Sequence, residues 1–178
     1  TDVYVVPSQG GEPKRLTFSP GNDLVGDWTP DGKIGFVSAR EMVRPGIGML
    51  WKIGPNGGMP ERTDVHEAFD VSFSSDGNTL AYNRVSSHTF NWRRYRGGTQ
   101  GKVSFFDFSS KKYSEMPSGR EQNYFPMWVG DSVYYISDLN QGTLNLYKFD
   151  PKSKKKSQVT KFDDADVELH RVDLDVDR

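Results

Sequence analysis

Apolar and polar positions alternate with period two in short bursts along this chain, and no stretch repeats its apolar positions with the spacing of an amphipathic helix. Three bursts share one layout: Trp28-Thr-Pro-Asp-Gly-Lys-Ile-Gly-Phe-Val-Ser38, Phe73-Ser-Ser-Asp-Gly-Asn-Thr-Leu-Ala-Tyr-Asn83 and Trp128-Val-Gly-Asp-Ser-Val-Tyr-Tyr-Ile-Ser-Asp138. Each reads as an aromatic residue, a tight turn and an apolar strand. Asp31-Gly32 and Asp76-Gly77 are the dipeptides that supply positive φ in hairpin turns, and Asp131-Ser132 is a weaker third copy. The pattern predicts inner-strand pairs over about 24–38, 69–83 and 124–137.

A second element alternates with the first. Asp2-Val-Tyr-Val-Val6 leads through Gly10-Gly11 to Lys14-Arg-Leu-Thr17, and Leu50-Trp-Lys-Ile53 leads through Gly57-Gly58 to Glu61-Arg-Thr63. Further copies begin at Val103 and Leu144. Gly10 to Gly57 is 47 residues and Asp107 to Asp150 is 43. A period in this range with four short strands per unit predicts an all-β fold, a β-propeller of four-stranded antiparallel blades. A β-sandwich has no reason to repeat its turn chemistry at that interval.

The repeat also breaks. Leu169-His-Arg-Val-Asp173 matches Leu146-Tyr-Lys-Phe-Asp150 as a third strand, yet begins only 23 residues later. Residues 163–178 therefore read as an atypical, truncated repeat, with about half a repeat missing between Asp166 and Leu169. Three inner pairs against five third-strand candidates make the chain an incomplete portion of a propeller. An open arc leaves a sheet edge and apolar blade faces uncovered, so further blades or a partner chain are expected.

Composition narrows the partners. Aromatic residues make up 13% of the 178 residues although mean hydropathy is -0.71, which fits a folded, loop-rich protein better than a disordered one. A net charge of -1, from 23 basic and 24 acidic residues, gives no global field for nucleic acid or an anionic membrane. The absence of cysteine removes disulfides, thiolate metal sites and a thiol nucleophile.

One segment stands out chemically. The repeat containing residues 86–101 runs about ten residues longer than its neighbours, and the excess carries His88, Trp92, Arg93, Arg94, Tyr95 and Arg96 without an acid. Guanidinium forks bind carboxylates bidentately and stack on aromatic faces. Arg93, Arg94 and Arg96 are therefore candidates for a peptide carboxylate or an acidic partner surface. The alternative is that they pair with acids of adjacent blades and pin the loop.

Elsewhere the signals are weaker. His66-Glu67-Ala-Phe-Asp70 begins like a His-Glu-x-x-His zinc motif, but Asp70 stands where the second histidine belongs and the segment precedes a strand. The acid clusters at Asp163, Asp164, Asp166 and at Asp173, Asp175, Asp177 lack the glycine of a calcium loop. Lys152 to Lys156 suits an exposed hairpin tip. No Gly-x-Ser-x-Gly elbow is present. No catalytic residue, metal or cofactor is assigned.

Two layers of resemblance add to this reading. The Gly-Gly-x-Pro-x-Arg strands at Gly10 and Gly57 and the Trp28-Thr-Pro-Asp-Gly32 turn are similar to repeats of TolB-like propellers. Asn91-Trp-Arg-Arg-Tyr-Arg-Gly-Gly-Thr-Gln-Gly101, Tyr124 to Asp138 and Thr160 to Val167 resemble the six-bladed propeller of the tricorn-type proteases. That resemblance implies a segment of a large, hexameric, multidomain serine peptidase that shortens oligopeptides. The catalytic apparatus of that family lies in distant C-terminal domains, beyond a second propeller and a PDZ-like domain. The segment itself would be non-catalytic, serving substrate access, gating and assembly, in the cytoplasm. Its partners would be the remaining domains of the polypeptide, oligopeptides and further copies of the chain, with no nucleic acid and no membrane. The alternative is a TolB-like periplasmic binding scaffold with no peptidase activity.

Overall fold

A computed structural model describes residues 1–42, 48–85, 96–140 and 142–167. All fourteen strands among them are antiparallel to their neighbours. Strands β1 (Tyr4–Val5) and β2 (Lys14–Arg15) form a two-stranded sheet. Strands β3 (Asp23–Trp28), β4 (Ile34–Ser38), β5 (Met49–Ile53) and β6 (Glu61–Arg62) form a four-stranded meander in chain order. The same order holds for β7 (Val71–Phe73), β8 (Thr79–Asn83), β9 (Val103–Asp107) and β10 (Lys112–Glu115). It holds again for β11 (Asn123–Val129), β12 (Ser132–Ser137), β13 (Asn145–Asp150) and β14 (Lys155–Gln158). These are three propeller blades and the outer half of a fourth. They are called here blade I (β1–β2), blade II (β3–β6), blade III (β7–β10) and blade IV (β11–β14).

The inner hairpins turn where residues of special backbone freedom stand. Gly32 and Gly77 hold φ of 77° and 71° between their strands. In blade IV the turn is tighter than the Asp131-Ser132 reading implies. Gly130, at φ 57°, supplies the left-handed residue two positions before Ser132, and Ser132 already pairs with Val129. The readings that fall on Arg93, Arg94 and the third-strand match Leu169–Asp173 lie outside the described residues.

Side chains alternate between the two faces of each blade, so the core is divided among blade junctions. Ile34, Phe36, Met49, Trp51 and Ile53 of blade II face Val3 and Leu16 of blade I. Val37 and Leu50 on the opposite face meet Val71, Phe73, Leu80, Tyr82 and Phe106 of blade III. Ala81, Val103 and Phe105 then meet Val133, Tyr135, Tyr147 and Phe149 of blade IV. Phe73 and Trp128 pack against the preceding blade, Trp128 with its ring 6.2 Å from that of Phe105. Trp28 holds the matching position but is 51% exposed, because blade I presents no inner strand to it among the described residues.

Polar clasps join the innermost strands. The Phe73 N–H donates to Asp27 Oδ2 at 3.1 Å, and the Trp128 N–H donates to Ser72 Oγ at 3.0 Å. The Phe125 N–H donates to Asn83 Oδ1, while Asn83 Nδ2 donates to the Asn123 carbonyl. Phe125, held at φ 50° in the β-bulge of β11, owes part of its position to that asparagine.

Candidate functional site: the seat of the arginine-rich insertion

The insertion leaves blade III after β8 and returns to it before β9. Its departure is marked by an ion pair between Arg84 and Glu67, both substantially exposed. Its return is fixed on the next blade. Arg96 Nη2 lies 3.0 Å from Asp138 Oδ2, and the Asp138 side chain is only 1% exposed. The other carboxylate oxygen of Asp138 accepts from the Gln122 N–H at 2.6 Å. A buried carboxylate is tolerated when its oxygens meet donors, and one of these donors carries a compensating charge.

Gln100 and Gly101 complete the seat. Gln100 Nε2 donates to the Glu121 carbonyl at 2.7 Å. The Gly101 N–H donates to Gln122 Oε1 at 2.6 Å, and the same oxygen accepts from the Tyr124 hydroxyl at 2.9 Å. The Asn123 N–H donates back to the Gly101 carbonyl at 3.0 Å. Residue 101 has to be glycine, since a Cβ there would stand 2.3 Å from the Tyr124 ring. Glu121 anchors the outer side through Lys156 Nζ, at 2.9 Å. Burial disfavours the charged form of Glu121, but donors from Lys156, its own backbone and Gly119 outweigh it. The carboxyl is held below its ordinary value.

Of the three arginines singled out in the sequence, Arg96 is engaged by Asp138 of blade IV, while Arg93 and Arg94 lie outside the described residues. Gly101 and Asp138 lie within stretches that carry the family resemblance and Gln122 within none, and the sequence assigned none of the three a role in the seat, because those roles depend on a contact between blades. His66 is exposed, just ahead of β7. Among the described residues no three His, Asp or Glu side chains converge as a metal site would require. No helix among them is long and apolar enough to cross a membrane.

Four-stranded meanders joined face to face through an apolar layer, with inner strands clasped to one another, define a β-propeller arc. The chain belongs to the family described as the tricorn protease N-terminal beta propeller domain, which it matches over residues 1–175. A tricorn protease homolog of Saccharolobus solfataricus is 28% identical over 166 residues, covering 92% of this chain and 15% of that protein. The tricorn protease of Thermoplasma acidophilum is 25% identical over 175 residues, covering 92% of this chain and 16% of that protein. The crystal structure of the tricorn protease superposes with a TM-score of 0.74 at 24% identity, covering 92% of this chain and 16% of that one. TolB from Acinetobacter baumannii shares the fold with a TM-score of 0.66 at 19% identity, covering 89% of this chain and 37% of that one. The chain thus spans about 15% of the length of the S. solfataricus relative.

Proposed function

We propose that this chain is a non-catalytic propeller segment of a tricorn-like serine peptidase that degrades oligopeptides, and that it serves substrate access, gating and assembly. The observation that carries the reading is the family match across residues 1–175. In this reading the remaining domains supply the catalytic residues, the assembly is a homo-hexamer and its compartment is the cytoplasm.

The insertion is the working part of the segment. It is anchored on blade IV by Arg96 and Asp138, and the role of Arg93 and Arg94 is to receive the carboxylate of an oligopeptide or of an acidic partner surface. Arg96, already paired with a buried acid, holds the insertion in place. The test is steady-state hydrolysis of oligopeptides by the full-length protein carrying Arg93→Ala or Arg94→Ala. The expected result is a KM raised roughly tenfold with kcat nearly unchanged, the effect of losing one charge-assisted contact made equally in ground and transition states. Unchanged KM in both variants removes the carboxylate role, and absence of any peptidase activity in the wild-type protein removes the wider reading.

A further inference from the structure

Blades II and IV build the same corner with different contents. In blade II, Asp23 pairs in register with Ser38, and Phe36 pairs with Trp51. Arg40, two residues past Ser38, fills the space these four side chains frame. Its Nη2 reaches Asp23 Oδ2 at 2.5 Å and its Nε donates to Ser38 Oγ at 3.0 Å. Its guanidinium carbon lies 5.1 Å from the centre of the Phe36 ring and 5.3 Å from that of Trp51. A planar cation is thus held by two oxygen acceptors and two aromatic faces.

In blade IV, Asn123 pairs with Ser137 and Tyr135 pairs with Tyr147, residue for residue in the same register. The position matching Arg40, two past the serine, is Leu139, whose side chain is exposed. The four framing positions are kept, and the arginine of blade II has no counterpart at residue 139. Asn123, Ser137, Tyr135 and Tyr147 are all buried, and both amide atoms of Asn123, Ser137 Oγ and the Tyr135 hydroxyl find no partner, while the Asn140 backbone N–H acts on the Tyr147 hydroxyl. Leaving such groups unsatisfied costs about 1–3 kcal/mol each. No cation among the described residues stacks on either tyrosine ring, and the charged groups acting on the two phenols are carboxylates, Glu121 on Tyr135 and Asp138 on Tyr147.

We infer that the corner of blade IV framed by Asn123, Ser137, Tyr135 and Tyr147 is a binding site for a guanidinium group, of the kind an arginine side chain of a peptide presents. Asn123 Oδ1 and Ser137 Oγ accept its N–H groups, and the tyrosine pair takes its face, as Phe36 and Trp51 take that of Arg40. An asparagine in place of the aspartate means that no buried charge goes unpaired before the guest binds, which is what a reversible guest requires. Since the four side chains are buried, entry needs a local opening, and association is slower than an open surface allows. The inference stands on the comparison of two blades and is independent of the peptidase reading.

The experiment is calorimetric titration of the full-length protein with Nα-acetyl-arginine amide and, as the control, Nα-acetyl-norleucine amide. The arginine compound is expected to bind and the norleucine compound not to. Asn123→Asp, which restores the acid of blade II, tightens binding about tenfold by making a neutral acceptor charged. Leu139→Arg supplies the missing cation from the chain itself, abolishing binding and raising the melting midpoint. Equal behaviour of the two compounds overturns the inference and leaves ordered water as the occupant. An Asn123→Asp variant that melts cooperatively yet binds arginine no more tightly than wild type overturns it as well.

Discussion

At residue 35 a single missing side chain lets one blade approach the next. A Cβ on Gly35 would stand 2.7 Å from Cε2 of the Phe73 ring, and that ring is pinned by stacking on Phe108 and by the Lys52 ammonium. The ring has little room to retreat, so Gly35→Ala is expected to destabilise the chain by about 1–3 kcal/mol, read as a lower urea midpoint. Titration offers a second test at this scale. Burial, with the charges of Tyr113 and nearby acids, pushes the Tyr82 hydroxyl up from 10.0 to about 12. An acid whose folded pKa is raised stabilises the fold fully below its unfolded pKa and loses that contribution as pH climbs toward the folded one. The stability contributed by Tyr82 should therefore fall between pH 10 and pH 12, and Tyr82→Phe should flatten that part of the denaturation profile.

At the scale of elements, the Arg96–Asp138 ion pair joins blades III and IV alongside their apolar layer and hydrogen-bonded clasps. Arg96→Ala takes the guanidinium from the buried Asp138 carboxylate, which keeps its hydrogen bond from the Gln122 N–H. The guanidinium is partly exposed, which discounts the loss. The expected cost is about 1–2 kcal/mol, with faster amide exchange at Gln122 and Gly101, read by hydrogen exchange. Local sequence carried much of the element level: Asp31-Gly32 and Asp76-Gly77 announce the turns of β3–β4 and β7–β8, and their spacing announces blades. It did not carry the turn of β11–β12, where Gly130 rather than Ser132 provides the left-handed residue. The seat of the insertion was legible only from its arginine side. Asp138, Gln122 and Gly101 are ordinary residues until the blades come together, and the frame around Asn123 is visible only by superposing one blade on another.

For the whole molecule, the decisive surface is the side of blade II that looks past β1 and β2. Val25 and Trp28 stand exposed there on β3, and Tyr4 on β1 and Val6 just past it are exposed as well. Trp28 has the role that Phe73 and Trp128 play against their preceding blades, without the strands to receive it. A polypeptide of residues 1–178 alone is expected to associate with rising concentration in sedimentation velocity, and Val25→Ser with Trp28→Ser to suppress that association. A monomer at all concentrations would mean that this face needs no cover. The fold as a whole was readable because a blade repeats its turn chemistry. What lies against its open faces was not, because that depends on strands contributed from elsewhere in space.

The in-order meander of each blade also bears on how the protein is made. Within the sheets β3–β6, β7–β10 and β11–β14 every strand pairs only with its neighbours in the chain, so each sheet is complete once its own residues have left the ribosome. Hairpins close in about 1–10 μs, whereas translation at about 5–20 residues per second takes seconds to deliver a blade. Each sheet therefore forms before its successor exists, and the arc assembles vectorially. The newest blade always presents one bare apolar face, which is where a nascent-chain chaperone would find its binding site.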